Sequence, residues 1–350
     1  MYVEENKPLA PFTTLGVGGP ARWFTEARIE DDIPAAAEWA REKRVPLFVL
    51  GGGSNLLVAD DGFDGFVLHI RLSGIQNHEV GDRVVLSAAA GENWESLVRR
   101  TVAADYAGLE CLVGIPGTVG GTPVQNVGAY GQEVSSCIEK VRAYDLQERL
   151  FLDFSAAECG FSYRRSRFNT VDAGRYIVTR VDYRLIQGGP PTLRYADLQR
   201  EFAEHPAPNL AEVAEAVRRI RRSKGMLLVE GDPDCRSAGS FFKNPVVSRE
   251  ELQQVARVAG KEPPSFPVGT GASQDCVKIP AAWLIEQAGF ARGFVRGAAG
   301  ISSRHTLALI NRGGAKASEI LLLANDIAAA VEMRFSIRLE KEPVLLGFDA

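Results

Sequence analysis

Gly114-Ile115-Pro116-Gly117-Thr118-Val119-Gly120-Gly121, followed by Gln125-Asn126-Val127-Gly128-Ala129-Tyr130-Gly131, is the stretch on which the fold turns. Glycine loses more backbone freedom on folding than any other residue. A run this rich in it suits backbone that must lie against a flat or anionic ligand. An irregular surface loop is the plainer reading, but Ile115, Val119 and Val127 argue for partial burial. A second loop, Gly51-Gly52-Gly53-Ser54-Asn55, follows the apolar run Leu47-Phe48-Val49-Leu50, which reads as a buried strand. Successive glycines let N–H groups converge into an anion nest, and Ser54 and Asn55 add donors, so a pyrophosphate suits it. Taken alone the loop is equally a tight turn. It is not a G-x-G-x-x-G opening a helix, which disfavours a standard dinucleotide-binding Rossmann unit.

The third unusual stretch is Gly239-Ser240-Phe241-Phe242-Lys243-Asn244-Pro245. It sets a hydroxyl, a cation and an amide beside two aromatics, between a Gly and a Pro. A core strand has no need of that combination; a site that donates a proton and holds a polar substrate does.

The totals narrow the classes. A chain of 350 residues is long enough for two or three domains. With 45% hydrophobic and 24% charged residues it has an ordinary globular composition. A net charge of -4 gives no general attraction to nucleic acid or to an anionic membrane. The four histidines are scattered and the five cysteines show no C-x-x-C spacing, so neither a metal site nor a redox dithiol is expected. No apolar run is long enough to span a bilayer and no signal pattern opens the chain, so a cytoplasmic location is expected.

Periodicity predicts helices over 31–44, 92–105, 211–223, 248–259, 280–288 and 317–333. Strands are expected at 47–50, 65–70, 84–88, 138–145, 176–186, 306–310 and 335–340. In the helix at 211–223, Val213, Val217 and Ile220 are expected inward, with Arg218, Arg219, Arg221 and Arg222 mostly outward as a solvated face. The boundary between an α+β N-terminal half and a smaller α/β C-terminal half is expected between 188 and 230.

Many ordered segments then match one family. They are Thr13–Pro20, Leu50–Leu57, Gly91–Trp94, Gly108–Glu110, Ile115–Gly131, Phe161–Arg164, Leu193–Leu198, Gly239–Pro245, Ala282–Glu286 and Leu339–Pro343. On them the chain resembles the UDP-N-acetylenolpyruvoylglucosamine reductases, in the branch with a tyrosine-bearing loop. The resemblance implies an α+β architecture: a two-part FAD-binding fold of the vanillyl-alcohol oxidase/p-cresol methylhydroxylase type (1–70 and 71–220) and a C-terminal α/β substrate domain (221–350). It implies non-covalent FAD, NADPH as co-substrate, UDP-N-acetylglucosamine-enolpyruvate as the other partner, and a monomer in peptidoglycan precursor synthesis. FAD contacts are expected from Gly51, Gly52, Gly53, Ser54, Asn55, Ile115, Pro116, Gly117, Thr118, Gly121, Asn126, Gly128 and Ala129.

The implied chemistry is hydride addition to an enol ether conjugated to a carboxylate, which leaves an enolate to stabilise and a carbanion to protonate. Ser240 matches the family's proton donor and Arg164 its carboxylate contact, a fork suited to two-point binding. Glu342 matches the second enolate stabiliser, and is expected to carry a proton there because an ionised carboxylate would repel the forming charge. Glu340, two residues earlier, competes for that role; the spacing to Gly347 favours Glu342. Tyr195, Lys224 and Asn244 resemble substrate contacts. After Lys224 some members of the family have a short Leu-Pro-Asp-Pro segment where this chain has the longer run 225–235. A flavin oxidase of the same fold and a non-catalytic sugar-nucleotide binder are the alternatives. Against the first, no histidine of this chain lies in a context that resembles the covalent flavin-attachment site of some oxidases, and the second would have no need of Ser240, Arg164 and Glu342 together.

Overall fold

The structure is a computed structural model and describes residues 1–81, 83–205, 207–268 and 275–348, the side chain of Val80 excepted. Its contacts divide the chain into two compact units. The first holds Met1–Lys7, Ala21–Gly53 and Asp64–Arg222; the second holds Pro8–Pro20, Ser54–Phe63 and Ser223–Ala350.

In the first unit a four-stranded sheet runs in the order Glu4–Pro8, Pro20–Ala27, Phe63–Ile70, Leu47–Leu50. Leu47–Leu50 lies parallel to Phe63–Ile70, with Leu47 opposite Phe66. The helix Asp32–Lys43, which precedes Leu47–Leu50 in the chain, buries Ile33, Ala36 and Ala40. A larger antiparallel sheet is centred on Tyr176–Gln187, flanked by Ile138–Asp145 and Arg83–Ala89. Leu150–Ser155 and Ile75–Val80 extend it on the two sides. The β-branched and aromatic run of Tyr176–Gln187 explains its central place: most of its first eight side chains are buried. The helix Trp94–Ala103 begins where the Asn93 side chain accepts a bond from Ser96 N at 2.9 Å. Its buried Trp94 donates Nε1–H to Leu112 O at 3.1 Å.

In the second unit a four-stranded sheet has the order Ser237–Ser240, Ala308–Asn311, Ala299–Ile301, Val295–Arg296. A smaller sheet joins Val246–Ser248, Cys276–Lys278 and Phe266–Pro267, and Val344–Leu346 pairs in parallel with Leu56–Val58. The core gathers Phe241, Phe242, Ile279, Leu284, Ile285 and the buried stripe of the helix Ala317–Phe335. No helix among the described residues is long and apolar enough to cross a membrane.

The expected helices all appear within a few residues of their predicted bounds. The strand expected at 335–340 does not. The helix runs on to Phe335 and stops at Ser336, which takes the left-handed conformation at φ 56°. Residues 337–340 then belong to no strand. Ile337 and Leu339 are buried, so their alternation reports packing against the core rather than a ladder. The second correction is Arg221, expected on the solvated face and found 7% exposed.

The helix Arg249–Ala259 carries a capping box: Ser248 Oγ accepts from Glu251 N at 3.1 Å, and Ser248 N donates to Glu251 Oε2 at 2.7 Å. Ser248→Ala removes one half of it and is expected to cost about 1 kcal/mol. Denaturant unfolding of the second unit's signal, compared with wild type, measures that loss.

Candidate functional site

The two glycine stretches meet within the first unit. A Cβ on Gly52 would lie 2.6 Å from Gly117 Cα, and one on Gly51 would lie 2.9 Å from Thr118 Oγ1. Only glycine allows backbone to approach backbone this closely. The second stretch is anchored along residues 90–94: Trp94 N donates to Gly117 O at 3.1 Å, Val119 N to Glu92 O at 2.9 Å and Gly120 N to Ala90 O at 2.9 Å. At the junction the Thr118 hydroxyl oxygen is buried and makes no hydrogen bond among the described residues. A buried polar atom without a partner is costly. A ligand oxygen at that point would satisfy it. The junction therefore fits the pyrophosphate or ribityl oxygens of a flavin dinucleotide, with Gly51, Gly52, Gly53, Ile115, Pro116, Gly117 and Thr118 beside it.

Further along the stretch, Asn126 is buried at φ 45° and its side chain makes three hydrogen bonds within the protein. Its Nδ2 donates to Glu133 Oε2 at 3.0 Å and Ser162 O at 3.1 Å, and its Oδ1 accepts from Ser135 N at 3.2 Å. Gly128–Ala129 pairs with Gln132–Glu133 as a hairpin whose two turn residues, Tyr130 and Gly131, have φ of 50° and 81°. Two positive φ values match the hairpin's right-handed twist, but for Tyr130 the conformation is strained. Arg164 sits at φ 56° in a turn closed by reciprocal bonds between Ser162 and Arg165, at 3.0 and 3.1 Å. Its Nη2 donates to Gly128 O at 2.9 Å, so the arginine is docked on the glycine-rich stretch.

Tyr195 is 38% exposed and meets the Tyr130 ring edge-on at 5.2 Å. The segment leading to it is clamped at Thr192. The Thr192 N–H donates to the buried Glu110 carboxylate at 2.8 Å, its carbonyl accepts from Cys111 Sγ at 3.2 Å, and its hydroxyl oxygen accepts from Gln132 Nε2 at 3.2 Å. Burial pushes the Cys111 thiol well above its ordinary range. Sequence reasoning missed Glu110, Tyr130 and Arg221 as parts of this assembly. For Arg221 a signal existed: it falls four residues after Val217 and eight after Val213, on the buried stripe. Its Nε donates to Gly114 O at 3.1 Å. Burial lowers its pKa, opposed by a hydrogen bond to the Tyr130 side chain.

In the second unit, Ser240 ends the strand Ser237–Ser240 and lies opposite Ala308. Phe241 and Phe242 behind it are fully buried. The chain then meets the C-terminal segment: Lys243 N donates to Glu340 O and Glu342 N to Phe241 O, both at 2.9 Å, around the antiparallel bridge between Phe242 and Lys341. Ser240 and Glu342 thus enter one locality. Glu340 points its carboxylate to the Lys243 ammonium at 2.5 Å. Asn55 joins this locality, donating Nδ2–H to Glu342 O at 3.1 Å and accepting from Val344 N at 3.0 Å. Ser54 O accepts from Thr14 Oγ1 at 3.4 Å. Asn244 Oδ1 is taken by Ala281 N at 2.9 Å, leaving its Nδ2 as the group able to meet a ligand. Lys224 is half-buried just beyond the helix Leu210–Ser223. Gly121 contacts nothing within 4 Å of a Cβ.

Residues 22–150 match the model of an FAD-binding domain, and residues 232–346 match the C-terminal domain of UDP-N-acetylenolpyruvoylglucosamine reductase. The reductase of that name from Thermobifida fusca is 47% identical over 98% of this chain and 97% of its own length. That of Streptomyces coelicolor is 46% identical over 98% of this chain and 90% of its own. The chain belongs to the UDP-N-acetylenolpyruvoylglucosamine reductase family. A crystal structure of the family's enzyme from Thermus caldophilus aligns with a TM-score of 0.66 and 28% identity over 99% of both chains. The FAD-binding fold followed by a family-specific C-terminal domain, expected from the resemblance, is the fold found.

Gly52→Ala forces a methyl against the Gly117 backbone, which cannot yield as a side-chain tip would. The variant is expected to retain less flavin after purification, read as flavin absorbance per protein, while far-UV circular dichroism stays near that of wild type.

Proposed function

We propose that the protein reduces the enolpyruvyl double bond of UDP-N-acetylglucosamine-enolpyruvate to give UDP-N-acetylmuramate, with NADPH as the electron donor and non-covalent FAD as the carrier, as a cytoplasmic monomer supplying peptidoglycan synthesis. The observation that supports the reading is the backbone pairing that brings Phe241–Lys243, directly after Ser240, against Glu340–Glu342, in a chain of this family. FAD, when bound, would supply the hydride-transfer chemistry between NADPH and the terminal carbon of the double bond.

Ser240 supplies the proton. Its O–H bond breaks as the electron pair at the carbon bearing the carboxylate takes the proton, and solvent restores the hydroxyl afterwards. A serine is a weak acid in water, but the carbanion it meets is a strong base, so the transfer runs downhill. Arg164 binds the substrate carboxylate through its permanently charged fork, preorganised by the bond to Gly128 O. Glu342 donates a hydrogen bond to the same developing charge and carries a proton to do so. The ion pair of Glu340 with Lys243 supports the choice of Glu342, because Glu340 already has its charge compensated. Tyr195 covers the nucleotide diphosphate in the manner of the tyrosine-loop branch, with Lys224 and Asn244 as further substrate contacts. The division at residues 70 and 220, and FAD contacts from Ser54, Asn55, Gly121, Asn126, Gly128 and Ala129, are part of the same proposal.

Anaerobic assays of the yellow protein test it. NADPH is expected to bleach the flavin of Ser240→Ala as in wild type, while the enolpyruvyl sugar reoxidises it at least about 100-fold more slowly. Unchanged reoxidation would falsify the assignment of Ser240. If Glu342 must be protonated, the reoxidation rate of wild type falls as pH rises through that group's pKa. Glu342→Gln cannot ionise, so its profile is expected to lose that alkaline limb at a lower overall rate. An identical limb in both proteins rules Glu342 out as its source.

A further inference from the structure

The run 225–235 has no part in the chemistry above, yet several side chains of the second unit tie it down. Arg304 holds it. The Arg304 Nη2 donates to Asp232 Oδ1, and its Nε donates to Asp234 Oδ2 at 3.1 Å. Asp234 is only 5% exposed. The same Asp234 oxygen accepts from Ser302 Oγ at 3.0 Å, Ser303 Oγ at 2.7 Å and Ser303 N at 3.2 Å. The buried Ser302 oxygen in turn accepts from Arg304 N at 3.1 Å and His305 N at 3.3 Å, which fixes the turn that carries Arg304. Burial works against the Asp234 charge, yet the bonds from Ser303, Ser302 and Arg304 hold its carboxyl below the usual range.

Arg304 also reaches the start of the loop. Gly225 is left-handed at φ 65°, and a Cβ there would lie 3.1 Å from Arg304 Nε and 3.2 Å from its Nη2. One guanidinium therefore touches the loop directly after Lys224 and again at Asp232 and Asp234, just before the strand that ends in Ser240. Its own turn leads straight to the other side of that strand. Ser302 N donates to Ala308 O at 2.8 Å, Leu307 O accepts from Phe241 N at 2.8 Å, and Ala308 is the partner of Ser240. Both flanks of Ser240 and the residue after Lys224 thus refer to a single side chain.

We propose that Arg304, gripped by Asp232 and Asp234, is a positioning residue that sets Lys224 and Ser240 in register for proton delivery, and that the long 225–235 loop exists to make this latch. The inference rests on the reductase reading. A lysine cannot replace the arginine, because a point charge cannot bridge two carboxylates with a planar fork.

Rapid-mixing measurements on the flavin-loaded variants Arg304→Lys and Asp232→Asn separate the two half-reactions. Flavin reduction by NADPH needs no proton from Ser240, so its limiting rate is expected to stay within about threefold of wild type. Reoxidation by the enolpyruvyl sugar is expected to slow by roughly 10- to 100-fold, with a raised half-saturating concentration, because small misplacements at a reacting centre are costly. Asp232 is partly exposed, so Asp232→Asn keeps the test alive if Arg304→Lys folds poorly. A lowered melting temperature with both half-reactions unchanged, or changed by the same factor, overturns the inference. Wild-type protein that the sugar does not reoxidise overturns the reductase reading and this inference with it; a responsive wild type with unsplit variants overturns the inference alone.

Discussion

Two backbone hydrogen bonds, from Lys243 N to Glu340 O and from Glu342 N to Phe241 O, tie together segments about a hundred residues apart, and the local structure of the second unit around them depends on that tie. Phe241 and Phe242 are buried there, while Ser240 and Lys243, on either side of them in the chain, stay half-exposed. Asn55 then bonds to the backbone at Glu342 and Val344, so three distant parts of the chain share one small region. None of these contacts is strong alone. Together they hold the backbone around Phe241–Lys243, Asn55 and Glu340–Val344 in one place.

The first unit solves a different problem. Its glycine-rich stretches hold backbone against backbone, and the surrounding structure must supply the order that glycine does not. Bonds to residues 90–94 and the hairpin at 128–133 supply it, as does the bond from Arg164 to Gly128. Strain collects in the same place: Asn126, Tyr130 and Arg164 all adopt positive φ although none is glycine. Such strain persists where neighbours over-determine the conformation. Here the neighbours are identifiable: Ser162 and Ser135 for Asn126, Tyr195 for Tyr130, and the Ser162–Arg165 turn for Arg164.

Polar burial follows a common rule in both units. Glu110 and Asp234 are buried carboxylates, and each is surrounded by donors. Gly108, Gln132 and Thr192 serve Glu110; Ser302, Ser303 and Arg304 serve Asp234. A buried charge is tolerable only when its lone pairs are satisfied. In each case the donors belong to a loop that carries a candidate site residue or packs beside one, so satisfying the carboxylate also orders the loop.

Local pattern was enough to read the helices, most strands, the two glycine stretches and the family. Periodicity and backbone preference are properties of neighbouring residues, and a chain displays them without its fold. The family resemblance also named Ser240, Arg164 and Glu342 before any geometry. The strand expected at 335–340 failed because alternation of Ile337 and Leu339 marks burial, which a strand and an extended core segment share. Arg221 was misplaced because its charge outweighed its i, i+4 position in the reading, although the protein satisfies that charge with Gly114 O and Tyr130. The tertiary structure alone decided that Glu340 is spent on Lys243, that Thr192 is clamped ahead of Tyr195, and that Arg304 grips both ends of the 225–235 loop. Each of these is a contact across tens to a hundred residues, set by how elements pack, and no local feature of the sequence encodes which distant partner a side chain will meet.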